Sequence, residues 1–269
     1  MYIGFGANDS THYLYITHSS DGVNFTAATQ YPQALVGSSP ALVVNQNILS
    51  IYCRNVNDGT IYSISSTDGV NFTPPLQLLN GNSGPFYTST SVSAVSFGGN
   101  SNCIAYADDY GAVQVIENTA EYADSSVNQV APSGTTSNAP SITYFNGNLI
   151  VAYQQLANHA LVVSSSIDSW NWPTGTVCPG ILIGGSPSVS VYNGSELLVA
   201  FKSNDSHNVF FTTSGYTAST LASPANGYYP GDLIGSAPAL VATPGLPYSM
   251  YAAFKSNDSN NVLFTTGSK

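Results

Sequence analysis

The 269-residue chain sets 14 acidic against 4 basic residues, for a formal net charge of −10, and only 7% of its residues are charged. Arg54, Lys202, Lys255 and Lys269 are its only Lys and Arg, so it lacks the clustered bases that nucleic-acid binding or a polybasic membrane anchor requires. No apolar run approaches the ~20 residues of a membrane-spanning helix, which argues against direct membrane insertion. Gly, Ser, Thr, Asn and 18 Tyr stand where a helical protein would need Glu, Lys and Ala, a mix that suits short strands and turns. Met1 leads straight into the strand-like Tyr2-Ile3-Gly4-Phe5, so no signal peptide is expected in this sequence and the compartment is left open. Cys53, Cys103 and Cys178 are an odd number, and the first two sit in apolar patterns as buried small hydrophobes would.

Taken in chain order, one pattern returns at a period of roughly 50 residues, the range of propeller and solenoid repeats. Its second strand appears as Tyr2-Ile3-Gly4-Phe5, then Ile51-Tyr52-Cys53-Arg54, Ile104-Ala105-Tyr106-Ala107 and Ile150-Val151-Ala152-Tyr153-Gln154, and most clearly as Val199-Ala200-Phe201-Lys202 and Ala252-Ala253-Phe254-Lys255. Ahead of five of these lies a first strand of small apolar residues, usually opened by a small residue and Pro: Ser39-Pro40-Ala41, Ser91-Val92-Ser93, Ala139-Pro140-Ser141, Ser186-Pro187-Ser188 and Ala237-Pro238-Ala239. Hairpin chemistry such as Asn146-Gly147 and Asn193-Gly194 joins first to second strand. A third strand, such as Asn208-Val209-Phe210-Phe211, follows a polar loop. The expectation is one all-β domain over 1–269, a six-bladed β-propeller of four-stranded antiparallel blades, with a five-bladed ring as the alternative. The first copy lacks a first strand and the last lacks a fourth, so an unpaired edge there would favour homo-oligomers. A β-sandwich has no reason to repeat one pattern six times.

After the third strand comes Ser20-Asp21-Gly22-Val23-Asn24-Phe25, again Thr67-Asp68-Gly69-Val70-Asn71-Phe72, and a looser Ser166-Ile167-Asp168-Ser169-Trp170-Asn171-Trp172. These resemble the Asp-box of sialidase-type propellers, one residue shorter before the Gly, and over its whole length the chain looks like bacterial and fungal propeller lectins. The resemblance implies a structural turn: Asp accepts backbone N–H bonds, Gly takes positive φ, and the aromatic packs between sheets. Asn24-Phe25-Thr26 and Asn71-Phe72-Thr73 also read as glycan acceptors of a secretory route.

A sialidase holds its substrate carboxylate with three arginines, and this chain has one. Other propeller glycosidases need two carboxylates across the sugar, and the three Glu are Glu117, Glu121 and Glu196. No Gly-x-Ser-x-Gly elbow and no zinc-like Cys/His spacing is present, so no catalytic residue, metal or cofactor is expected. The repeated polar chemistry lies instead in the loop after the second strand. Arg54, Lys202 and Lys255 share one position there, held by Gln154 in the fourth copy, with Asp58, Asp205 and Asp258 following. Asn8, Asp9, Asn204 and Asn257 belong to the same loops, and His207 lies beside a column of His12, His159, Asn208 and Asn261 opening the third strand. Linkers to the next sheet add Tyr31, Phe86, Tyr87, Tyr228 and Tyr229. Donors, acceptors and aromatic faces so clustered suit sugars. The expected function is a multivalent lectin, not an enzyme, with three or four equivalent sites for glycans or glycoconjugates, acting outside the cell or on its surface. A protein-binding scaffold or adhesin module and a propeller glycoside hydrolase are the alternatives.

Overall fold

The computed structural model describes residues 1–7, 9–22, 24–81, 84–119, 125–192, 196–204, 209–214, 237–242, 250–255 and 262–267. They form six antiparallel sheets. The first holds β1 (Tyr2–Gly6), β2 (Tyr13–His18) and β3 (Thr29–Leu35), and the second β4 (Ala41–Asn45), β5 (Ile48–Arg54), β6 (Ile61–Ser66) and β7 (Leu76–Gln77). The third holds β8 (Ser93–Phe97), β9 (Ser101–Ala107), β10 (Val113–Thr119) and β11 (Ser126–Ala131). Next come β12 (Ser141–Phe145), β13 (Asn148–Gln154), β14 (Ala160–Ser166) and β15 (Thr176–Leu182). The fifth sheet holds β16 (Ser188–Tyr192), β17 (Glu196–Lys202) and β18 (Val209–Ser214), and the sixth β19 (Ala239–Ala242), β20 (Met250–Lys255) and β21 (Val262–Gly267). Among the described residues the first sheet has no first strand and the sixth no outer strand, as the repeat implies; the fifth has three strands, and its expected outer strand falls in residues 215–236, outside them.

The chain divides into two compact units, one of residues 1–110 and 114–128, the other of residues 111–113 and 129–269. Within the first unit β4 packs beside both β1 and β8; within the second, β16 lies between β12 and β19. Period-two alternation explains the stacking. Leu49, Ile51 and Cys53 of β5 join Leu14, Ile16, Val36 and Ile64 in one core. Tyr52, on the opposite face of β5, joins Ile104, Tyr106, Ile116 and Phe86 in another. In the second unit Ile150 and Ala152 meet Leu197, Val199 and Phe201 in the same way. Second strands are therefore buried on both faces, which is why they read as unbroken apolar runs.

Two expectations are refined. The first strands begin after the proline, at Ala41, Ser141, Ser188 and Ala239, not on it. Proline has no N–H for the ladder, and it restricts the residue before it. In place of a ladder bond, Ser141 Oγ accepts from the Val189 N–H and Ser188 Oγ from the Leu240 N–H, each at 3.0 Å, tying one first strand to the next. The hairpin at Asn146-Gly147 has both residues at positive φ, 48° and 81°, the geometry of the expected tight turn. Asn193-Gly194 lies outside the described residues.

The turns after β2, β6 and β14 share one hydrogen-bond scheme. Asp68 Oδ1 accepts from the N–H groups of Val70 and Asn71 at 2.8 and 2.7 Å, and Oδ2 from the Asn71 side chain at 2.7 Å. Ser66 donates to Asp68 and its oxygen accepts from the Gly69 N–H. Asp21 repeats this with Ser19 and Asn24, and Asp168 with Ser166 and Asn171. The serine two residues before Asp and the asparagine three after it are thus as much part of the turn as the Asp. Gly22 and Gly69 sit at φ 73°, while Ser169 takes the same left-handed position at φ 65°. Phe72 packs edge-on against Tyr31, centroids 4.9 Å apart.

Two predictions follow from these observations. The backbone N–H of Asn71 or Asn171, foremost among several donors, holds the Asp68 carboxyl well below the usual carboxylate range and that of Asp168 down to about 2. A carboxylate that titrates lower folded than unfolded stabilises the fold at neutral pH, and that contribution is lost as pH falls from about 4. The melting temperature should fall between pH 4 and 2, less steeply in Asp168→Asn, as circular dichroism can measure. The three cysteines are free and buried, and burial pushes the Cys53 and Cys178 thiols up to about 12 and raises Cys103 as well. Iodoacetamide at pH 8 should label none of them in the native protein and all three after unfolding, read by mass spectrometry.

Candidate functional site

The second strands end at Gly6, Arg54, Ala107, Gln154, Lys202 and Lys255, so the sequence's basic column is a structural column. Backbone bonds fasten its surroundings. Gly37 N–H donates to the Arg54 carbonyl at 2.8 Å, and Gly184 N–H to the Lys202 carbonyl at 2.7 Å. Two residues further on, the N–H groups of Val56, Leu156 and Asn204 donate to the carbonyls of Leu35, Thr135 and Leu182. The loops after β5, β13 and β17 are therefore held against the segments that lead into their sheets.

At the end of β5 the side chains converge. Arg54 Nε donates to the Thr88 carbonyl at 2.7 Å and Nη1 to the Gly37 carbonyl at 3.3 Å. Asp58 does not take the guanidinium: its Oδ1 accepts from the N–H and hydroxyl of Thr60 at 3.0 and 2.8 Å. Thr60 bridges Tyr87, whose side chain is 46% exposed. Arg54, Asp58 and Tyr87 thus belong to one corner, with the cation anchored by two linkers and the acid folded into its own turn. Phe86, expected on the surface, is buried and meets Tyr106 edge-on. Tyr31 lies within β3 rather than in a linker, and its hydroxyl donates to the Val70 carbonyl at 2.9 Å.

The equivalent position of the fourth sheet is closed. Gln154 is 2% exposed; its amide oxygen accepts from Asn138 and its nitrogen donates to the Ile183 carbonyl, 3.3 Å from His159 Nδ1. It offers a ligand nothing and instead ties two linkers, the work Arg54 does in the second sheet. His12 and His159 do not open the third strand. They close the preceding loop at φ 52° and 59°, as Gly59 and Gly111 do at 74°. Their carbonyls accept from the N–H groups of Val36 and Ile183. Backbone conformation alone accounts for His or Gly there, and it favours Asn equally. Asp9 caps its own loop through Thr11, whose hydroxyl, foremost, lowers the Asp9 pKa.

Lys202 differs from Arg54. It is half-buried at the end of β17, and among the described residues its ammonium makes no bond. Asn204 is exposed two residues on, and Lys255 ends β20. Asn8, Asp205, His207, Asn208, Tyr228, Tyr229, Asn257, Asp258 and Asn261 lie outside the described residues, as does Glu121. Among the described residues no cluster of His, Cys, Asp and Glu could hold a metal ion. What sequence reasoning missed were the neutral partners, Gly37, Thr88, Asn138 and Ile183. Only a glycine at 37 carried a signal: a Cβ there would strike the Arg54 guanidinium and come within 2.9 Å of the Val56 Cα.

The chain is similar in fold to the BP39L lectin from Burkholderia pseudomallei, at 16% identity and TM-score 0.71 over 98% of this chain and 76% of that one. It is also similar to the Aleuria aurantia lectin, a six-bladed β-propeller with a fucose recognition mode, at 13% identity and TM-score 0.57 over 98% and 90%. The Hadza microbial sialidase Hz136 is similar at 12% identity and TM-score 0.62 over 95% and 59%. No family model and no curated protein matches the chain. The likeness shows the fold: the chain is an all-β propeller of antiparallel sheets.

The Arg54 corner generates a stability prediction. Arg54→Ala strands two linker carbonyls and should cost about 1–3 kcal/mol, and Gly37→Ala should destabilise comparably by overpacking. Urea midpoints of the two variants and of the double variant measure this, and the double should fall short of the sum because both act on one contact.

Proposed function

We propose that the chain is a lectin that binds glycans through polar corners at the ends of its second strands. The observation that carries the reading is the corner at β5, where an anchored cation, a turn-capping acid and a half-exposed tyrosine adjoin. Two of the three Arg54 nitrogens are held by carbonyls, so the guanidinium is fixed before any ligand arrives and loses little freedom on binding. Lys202 and Lys255 end the equivalent strands of the fifth and sixth sheets, with an ammonium in place of the planar guanidinium. With Gln154 buried, the proposed ligand set narrows to Arg54, Asp58 and Tyr87 in the second sheet, with Lys202, Asn204 and Lys255 in the fifth and sixth. Even a few sites on one chain would raise avidity on a glycan-coated surface by ~10²–10⁴. The Ser-x-Asp turns are read as Asp-boxes with a structural role.

Sialidases share the fold, so the fold does not choose between binding and hydrolysis, but composition favours binding. One arginine cannot supply a three-arginine clamp. A glycosidase needs a carboxyl with a raised pKa as general acid. Asp9, Asp68 and Asp168 are shifted the other way by the turn amides and hydroxyls they accept from.

A glycan array with calorimetry on the hits tests the reading. Tyr87→Ala together with Lys202→Ala should weaken array binding at least about tenfold while the melting temperature stays within a few degrees. An array without signal, or steady turnover of aryl glycosides, overturns it.

A further inference from the structure

A groove of ≈ 280 Å³ lies apart from these corners, between β3 of the first sheet and the turn after β6 of the second. Tyr31 and Phe72, edge-on at an interplanar angle of 74°, line it together with Pro32 and Pro75. The walls are fixed before anything enters. Tyr31 donates to Val70, and Thr73 closes its turn by a 2.9 Å bond from its N–H to the Ser65 carbonyl. Gln33 is exposed on β3 at the groove, with its amide free among the described residues, and Asn71 adds a second amide. No charged side chain lines the groove. Asp68, on the same turn, has both carboxylate oxygens committed to that turn.

We infer that this groove binds one neutral pyranose ring, as a subsite of a different kind from the cationic corners. The size sits at the lower end of ligand pockets, which begin near ~300 Å³, and admits a single ring. Aromatic and prolyl side chains match the apolar C–H face of a sugar, and the free Gln33 amide matches its hydroxyls. A lining without charge leaves nothing to pair with a carboxylate or an ammonium, which a buried ionic ligand would require. The groove stands on its own geometry, whether or not the corners bind.

Saturation-transfer NMR on the full chain, with methyl glycosides of glucose, galactose, mannose, fucose and N-acetylglucosamine as probes and sialic acid as the charged control, tests it. At least one neutral glycoside should receive saturation from the protein. Gln33→Trp, which fills the groove from an exposed strand position, should reduce the transfer about tenfold, and Gln33→Ala should reduce it less. Ile167→Ala, exposed on the turn after β14 and part of neither the groove nor a corner, should leave it within about twofold. A crystal soaked in the responding glycoside should place its ring against Tyr31 and Phe72. The inference is overturned if no neutral glycoside responds, if sialic acid is preferred, or if folded Gln33→Trp retains the signal. The last outcome would assign the sugar to another site and leave the lectin reading standing.

Discussion

Burial of the second strand on both faces governs where this chain can place polar chemistry. Ile51, Tyr52 and Cys53, and likewise Val199, Ala200 and Phe201, are enclosed by the sheets on either side. Each fully buried Ile, Leu or Phe contributes roughly 1.5–3 kcal/mol by leaving water, and an unpaired charge among them would cost more than several such residues return. A long polar side chain is tolerated only where the strand ends and loops begin. Arg54, Gln154, Lys202 and Lys255 are all last residues of second strands for this reason. Their alignment therefore needs no ligand to explain it.

The same burial decided which elements were legible in the sequence. Second strands stood out as apolar runs, and first strands as small residues after proline. Outer strands did not stand out, because they have little to bury. β7 has two residues, both exposed, and β3 and β15 expose most of theirs, with register shifts where they pair. Tyr31, assigned by sequence to a linker, fell in such a strand. In the Ser-x-Asp turns the Asp, the glycine and the aromatic were legible. The serine and asparagine were hidden by attention to the better-known spacing, though Ser19, Ser66 and Ser166, and Asn24, Asn71 and Asn171, recur at identical offsets. Asn24 and Asn71, which read as glycan acceptors, turn out to be donors that complete the turn.

At the corners, sequence could rank positions but not orient side chains. Arg54 is held by carbonyls of Gly37 and Thr88, 17 and 34 residues away, and Gln154 by that of Ile183, 29 away. A carbonyl leaves no trace in residue identity, so whether a strand-end side chain ties loops or faces solvent could not be read from its type. Arg54 and the Asp58 that follows it do not pair, for a related reason. An exposed ion pair is worth ~0–1 kcal/mol, whereas Thr60 offers Asp58 two donors within the same turn and Arg54 finds two fixed acceptors.

The bonds that hold the corners in place run through the backbone, and this frees the side chains to differ. Gly37 and Gly184 donate to the carbonyls of Arg54 and Lys202 alike, and the carbonyls of His12, Gly59 and His159 accept linker N–H groups whatever the residue. A frame made of main-chain bonds survives replacement of the strand-end residue, provided that linker glycines remain where a Cβ would collide, as at Gly37 and Gly184. The repeat has in fact varied there, through Gly6, Arg54, Ala107, Gln154, Lys202 and Lys255. A position at the end of the strand and the mouth of a loop held by main-chain bonds is where copies of one fold can acquire different ligand preferences, at a cost in stability only where the side chain itself ties linkers, as Arg54 and Gln154 do.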